Sequence, residues 1–289
     1  MSKLERETFS LGLSVAVPVV DVSNPKASNS FGAVSGTVND DITPPAFIPS
    51  NYYVKPLDEK WAFGMGIYSP FGLGTHYDHD SSVRYVADKS EILMVNLQPT
   101  LSYRVTDDFS IGVGIIASYL QGNFSSALPI TDGKLVSQGN DVGYGYNIGL
   151  LYQVTNQTRI GLTYHSMIRY DLDMKTKVRG LSPLLGPENF DIHGTLSIAT
   201  PEVIDASLTH QLDDQWTIYA GSSWTRWDRW GAITISNKDS AAPIFDESSQ
   251  VLGWKNSWSH AIGVSYDISP KWALRAGYAR DGSPVNKSA

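Results

Sequence analysis

Apolar and polar positions alternate along most of this chain with a period of two. In residues 92–105, Leu93, Val95, Leu97, Pro99, Leu101, Tyr103 and Val105 share one face. Ile92, Met94, Asn96, Gln98, Thr100, Ser102 and Arg104 share the other. From residue 109, Phe109, Ile111, Val113, Ile115, Ala117 and Tyr119 alternate with Ser110, Gly112, Gly114, Ile116, Ser118 and Leu120. Shorter runs repeat the pattern around Ile148, Ile160, Trp216, Trp258 and Trp272. Successive strand residues point to opposite faces, so the pattern predicts strands rather than helices. Eleven are expected, at 7–19, 45–56, 61–75, 91–105, 109–124, 142–154, 158–174, 196–211, 216–235, 255–268 and 271–281.

The connections alternate as well. Five are short and polar, marked by Asp58, Asp107, Asn156, Asp213 and Ser269, and aromatic residues such as Trp61, Phe109, Trp216 and Trp272 follow them closely. The segments at about 20–44, 76–90, 125–141, 175–195 and 236–254 are longer and irregular. Short turns on one side, long loops on the other and aromatic strand ends describe an all-β, antiparallel transmembrane barrel. The turns would be periplasmic and the loops extracellular. A soluble β-sandwich also alternates, but it accounts for neither the two classes of connection nor the aromatic rows. One barrel domain over residues 1–289 is expected.

Composition fits this reading. Charged residues make up 18% of the chain, against about a quarter in soluble proteins. The 8 Trp and 15 Tyr suit a membrane interface, where a flat apolar ring ends in a polar group. No apolar run approaches the length of a membrane helix, but a barrel strand needs only about 9–11 residues. With no cysteine there is neither a disulfide nor a thiolate metal site. A net charge of −7 without a basic run gives no case for nucleic acid. The N-terminus, Met1-Ser2-Lys3-Leu4-Glu5-Arg6, has no apolar stretch like that of a signal peptide. Eleven is also an odd number, whereas bacterial single-chain barrels have even ones. Truncation at both ends is therefore expected.

The ordered set of motifs resembles the FadL-type (OmpP1/FadL/TodX) long-chain fatty-acid and hydrocarbon transporters of the Gram-negative outer membrane. The matching stretches are residues 68–75, 95–105, 143–149, Trp224-Thr225-Arg226-Trp227, 254–258 and 281–285. The resemblance implies a fourteen-stranded barrel plugged by an N-terminal hatch, with lateral release through an inward kink in the third strand. Neither the hatch nor the last strands are expected within this chain.

Several residues are candidates for transport. Ser69-Pro70-Phe71-Gly72-Leu73-Gly74 falls inside a predicted strand. Proline removes a ladder donor and glycine permits bulges, so broken pairing is expected there. The alternatives are a lateral opening, which the resemblance favours, and a frayed strand end. Ile92, Met94, Ile116 and Leu120 make the lumen face more apolar than a water-filled pore requires; they suit an apolar substrate or packing against a plug. Lys255 between Trp254 and Trp258 is a candidate for holding a carboxylate, with Arg169 and Arg226 weaker candidates; ordinary rim charge is the other reading. Leu128, Ile130, Leu181, Leu184 and Leu185 would be exposed on the outer loops as a capture site, unless the loops pack on themselves.

No catalytic or metal site is expected. The six histidines lack HExxH spacing, and no G-x-S-x-G elbow is present. The function expected is passive transport of hydrophobic small molecules without a cofactor, by a monomer among outer-membrane lipid and lipopolysaccharide. A general diffusion porin and a non-transporting structural or adhesive barrel remain the alternatives.

Overall fold

The computed structural model describes residues 4, 6–20, 27–29, 32–36, 42–128, 131–238 and 246–285. In chain order the strands are β1 (Thr8–Ala16), β2 (Ala27–Asn29), β3 (Gly32–Val34), β4 (Ala46–Pro56), β5 (Trp61–Tyr68), β6 (Gly72–His76), β7 (Lys89–Arg104), β8 (Phe109–Ala127), β9 (Lys134–Thr155) and β10 (Thr158–His165). They continue with β11 (Arg169–Arg179), β12 (Asn189–Ala199), β13 (Val203–Gln211), β14 (Trp216–Thr225), β15 (Ala232–Lys238), β16 (Glu247–Val251), β17 (Ser257–Ser269) and β18 (Trp272–Asp281). A short 3-10 turn, Trp227–Arg229, follows β14.

Eleven of these form one wall, in the order β1, β4, β5, β7, β8, β9, β10, β13, β14, β17, β18. Neighbours pair antiparallel, and β1 and β18 lie at the two margins. Each predicted strand contributes one member to this wall. Its short turns share a local device. Asp58 Oδ1 accepts the backbone N–H groups of Lys60 and Trp61 (2.8 and 2.7 Å), and Asp213 Oδ1 those of Gln215 and Trp216 (both 2.8 Å). Thr106 Oγ1 accepts from Phe109 (3.0 Å), and Thr155 Oγ1 from Thr158 (3.0 Å). A short polar side chain thus replaces the ladder partner that the turning backbone has lost.

The exterior is apolar over a defined height. On β9, outward residues run Val154, Tyr152, Leu150, Ile148, Tyr146, Tyr144 and Val142, then change to Asn140 and Gln138. On β8 they end at Tyr119 and change to Gln121 and Asn123. Tyr119 pairs with Val142 and Gln121 with Asn140, so both strands cross the same boundary. At ~3.3 Å per residue and a tilt of ~40°, Val142 to Val154 spans about 30 Å, the thickness of a hydrocarbon layer. Exposures of 65% for Ile115 and 71% for Tyr144 make sense only against lipid. At the turn side, Trp61 lies 4.6 Å from Tyr103, and Trp216 4.6 Å from Tyr266, as an aromatic row.

Three predicted strands do not stay in the wall. The 158–174 segment ends its wall course at His165, and β11 turns away to pair with β9 and β12. The 196–211 segment divides between β12 and β13, and 216–235 between β14 and β15. The upper part of β9 carries β11, while its lower part carries β10. The exchange requires residues 166–169 to cross close over β9. Gly143 and Gly145 permit it: a Cβ on Gly143 would meet Ile168 Cγ2 at 2.5 Å, and one on Gly145 would meet Ile168 Cγ1 at 2.7 Å. Ile168 and Tyr170 thereby enter the interior. β11 then alternates strictly, with Tyr170, Leu172, Met174, Thr176 and Val178 buried and the charged residues Arg169, Asp171, Asp173, Lys175, Lys177 and Arg179 exposed.

Candidate functional site

The wall is broken at its third strand. β5 pairs with both β4 and β7, and its last pairs are Ser50↔Tyr68 and Tyr68↔Asn96. Among the described residues β6 pairs with β7 alone, resuming at Gly72↔Leu93, and Leu73 pairs with Ile92. Ser69, Pro70 and Phe71 lie outside the ladder. Proline has no N–H to offer, and Ser69 Oγ compensates by donating to Met94 O (2.7 Å). Opposite, Ala46–Pro49 of β4 pair with β1 only. The gap is bounded on its outer side by His76 N–H donating to Ile42 O (2.7 Å) and by Pro44, whose Cγ lies 3.3 Å from a Cβ placed on Gly74. Gly72 is open: the nearest atom to a Cβ there is Ile92 O at 3.8 Å. The side chain of Leu73 lies outside the described residues.

Behind the break lies a cavity of about 280 Å³. Tyr68, Pro70 and Phe71 form its wall side, and Met94, Ile116 and Ile168 its apolar floor. Asn96, His165, Ser166, Thr200, Asp205, Ser223 and Thr225 add polar atoms. Phe71 points inward onto Trp227, with ring centres 5.4 Å apart. Trp227 meets Trp230 at 5.7 Å and Trp254 at 5.2 Å, and Trp230 stacks on Trp254 at 5.2 Å. The Trp230 Nε1–H donates to Ala199 O (2.7 Å), which anchors the aromatic group to the end of β12.

Ile92, Met94, Ile116 and Leu120 all face inward and are buried in a single cluster with Ile168, Tyr170, Leu172, Met174, Leu196 and Ile198. Periodicity put the first four inward; the remainder come from segments that leave the wall. Above this cluster is a groove of about 370 Å³ between the outer ends of β7–β9 and the β15–β16 hairpin. Phe124, Leu128, Leu135, Ile233 and Ile235 line it.

The other candidates are placed as follows. Trp254 belongs to the interior tryptophan group, but Lys255 is exposed, its backbone N–H donating to Pro284 O (2.9 Å). Trp258 is 55% exposed on the outer face, stacked on His260. The three are therefore not assembled, because β17 begins only at Ser257 and residues 254–256 do not share its alternation. Arg226 is held by Glu202 (3.6 Å) and Asp228 (3.2 Å), and Arg169 is exposed opposite Ala199. Leu128 and Leu181 are each only 2% exposed, packed with Val178 and Ile192, rather than displayed on the loops. Leu184 is 94% exposed and Leu185 sits beside it; Ile130 lies outside the described residues. The outer loops are also tied by polar contacts: hydrogen bonds from Tyr85 and Arg84 hold the Asp132 carboxyl below its ordinary pKa. Sequence reasoning missed Tyr170, Leu172, Met174, Trp227 and Trp230. The strict charged/apolar alternation of 169–179 and the Trp-x-x-Trp spacing were the available signals.

A lipid-facing antiparallel wall with a buried apolar cluster on its inner face is the architecture of an outer-membrane β-barrel. Residues 1–289 match throughout the family described as outer membrane protein transport protein (OMPP1/FadL/TodX), and the chain belongs to that family. It is 25% identical over 320 residues to the long-chain fatty acid transport protein of Escherichia coli O6:H1, covering 99% of this chain and 70% of that one. It is 28% identical over 273 residues to outer membrane protein P1 of Haemophilus influenzae, covering 83% of this chain and 58% of that one. The chain thus spans little more than half the length of the latter relative. Its fold is similar to the crystal structure of a Pseudomonas aeruginosa FadL homologue, with a TM-score of 0.81 at 19% identity, covering 99% of this chain and 74% of the other. The Ralstonia pickettii toluene transporter TbuX gives 0.72 at 21% identity, covering 97% and 79%.

Proposed function

We propose that residues 1–289 form a single barrel domain for passive outer-membrane transport of hydrophobic small molecules, long-chain fatty acids or aromatic hydrocarbons, with lateral release at residues 69–74. The observation that carries this reading is the apolar cavity directly behind an unpaired stretch of wall. A molecule there reaches the lipid without crossing the aqueous periplasm. Ser69 Oγ donates to Met94 O beside the break, which reduces the cost of an open ladder in hydrocarbon.

Capture takes place at the outer groove lined by Phe124, Leu128 and Ile235, aided by exposed Leu184 and Leu185. Passage then runs along the buried cluster, which shares Ile235 with the groove and Met94, Ile116 and Ile168 with the cavity. The barrel works as a monomer, with membrane lipid around its apolar band and lipopolysaccharide at the outer rim. No catalytic role is assigned to its residues. The names of the relatives and structural neighbours, fatty-acid and toluene transporters, support these two substrate classes.

Gly72→Val tests lateral release. It adds a β-branched side chain where an added Cβ meets its nearest described atom outside its chain neighbours, Ile92 O, only at 3.8 Å, so the break is narrowed without a backbone clash at the Cβ. Uptake of a labelled hydrocarbon by cells carrying the full chain in their outer membrane should fall several-fold. Unchanged hydrocarbon uptake, or free passage of hydrophilic sugars in liposomes, would replace this reading with that of a diffusion pore.

A further inference from the structure

The charge of the wall cavity is one-sided. Among the described side chains that line it, the single formal charge is Asp205, on β13. Its neighbours across the ladder are Thr163 and Ser223, both neutral, and the nearby ring of His165 is within its electrostatic reach. No lysine or arginine is among the described lining residues. The cations closest along the chain are already engaged. Glu202 receives two hydrogen bonds from Arg229 (3.1 and 2.6 Å), and Arg226 lies between Glu202 and Asp228. Lys255 and Arg169 are exposed away from the cavity.

A carboxylate entering this space would give up its water and meet a like charge with no cation to offset it. Both costs grow as the surroundings become less polar. A neutral molecule incurs neither. The size of the cavity points the same way: about 280 Å³ comfortably exceeds the ~150 Å³ apolar cavity known to admit benzene.

We infer that Asp205 makes the wall cavity a charge filter, which passes neutral hydrophobic molecules of about one ring and turns away those bearing a carboxylate. The inference rests on the transport reading above and narrows it to the uncharged class. Asp205 is its specificity-determining residue.

The test uses two probes of equal size and shape that differ in charge, 4-phenylbutanol and 4-phenylbutyrate. Initial uptake is measured in cells carrying the full chain in the outer membrane, in excess of cells without it. The wild-type chain should favour the alcohol. In Asp205→Asn the ratio of acid to alcohol uptake should rise about tenfold, the scale of one partly screened charge pair. Asp205→Glu, which keeps the charge, should hold the ratio low. Thr225→Lys, which supplies a cation in the same cavity without touching Asp205, should raise it; this variant decides the matter if Asp205→Asn does not reach the membrane folded. Equal uptake of both probes by the wild-type chain, or one ratio shared by the Asn, Glu and Lys variants, would overturn the filter while leaving transport intact. Uptake of neither probe above the control would remove the transport reading and the filter together.

Discussion

Asp58 illustrates how much a single side chain does at the rim of the wall. Its carboxylate accepts the N–H groups of Trp61 and Lys60, and these bonds, the one to Trp61 foremost, hold its pKa below the ordinary value. A depressed folded-state pKa means stability present above the unfolded pKa, ~3.9, and lost as pH falls through the folded value. Asp58→Ala should therefore lower the thermal midpoint of the folded barrel at pH 7. The gap from wild type should narrow as pH falls below the unfolded value of ~3.9. Melting curves of both chains in detergent across this range are the check. At two further turns, those marked by Asp107 and Asn156, Thr106 and Thr155 also supply accepting oxygens. Hydroxyl and carboxylate serve alike there, so residue type alone does not select the acceptor; its position relative to the last paired residue does.

At the scale of the element, β9 shows how one strand serves two partners. The crossing at 166–169 depends on the missing side chains of Gly143 and Gly145, while at Gly149, four residues beyond Gly145, the one described atom within reach of a Cβ is Thr163 Oγ1, at 3.9 Å. Gly143→Ala should destabilise the barrel by about 1–3 kcal/mol through overpacking, with Gly149→Ala close to neutral. Urea midpoints of the two variants test this. The tryptophan group is a second element-scale device, because it ties the 3-10 turn, the approach to β17 and the wall break together through Phe71. Trp230→Ala removes a buried ring and its hydrogen bond to Ala199. It should cost about 3–5 kcal/mol, and should also weaken hydrocarbon uptake if Phe71 loses its seat.

Across the whole molecule, the buried cluster adjoins both the outer groove, through Ile235, and the wall cavity, through Met94, Ile116 and Ile168. Close-packed apolar side chains exclude water from the space they fill. Planar bilayers containing the wild-type chain should therefore carry little ion current. Combined Ile92→Ala and Leu120→Ala should raise the conductance several-fold by opening the packed layer, whereas Leu93→Ala, on the lipid face, should not. A high wild-type conductance would show that the interior is wet.

Alternation is a local property, and so the wall was legible before any fold was known. Each strand's lipid face, its lumen face and the inward direction of Ile92, Met94, Ile116 and Leu120 follow from parity alone. The unpaired stretch at Ser69–Phe71 was equally local, because a proline announces a missing donor wherever it stands. Partner choice is not local. Whether 169–179 continues down the wall or swings inward onto β9 depends on glycines more than twenty residues earlier. Whether Leu128 and Leu181 meet water depends on which loop closes over them. Lys255, Trp254 and Trp258 are neighbours in sequence but part company because the strand begins between them. Only the assembled structure places Asp205 in a cavity whose described lining holds no lysine or arginine, since the walls of that cavity come from six separate stretches of chain brought together by long-range pairing.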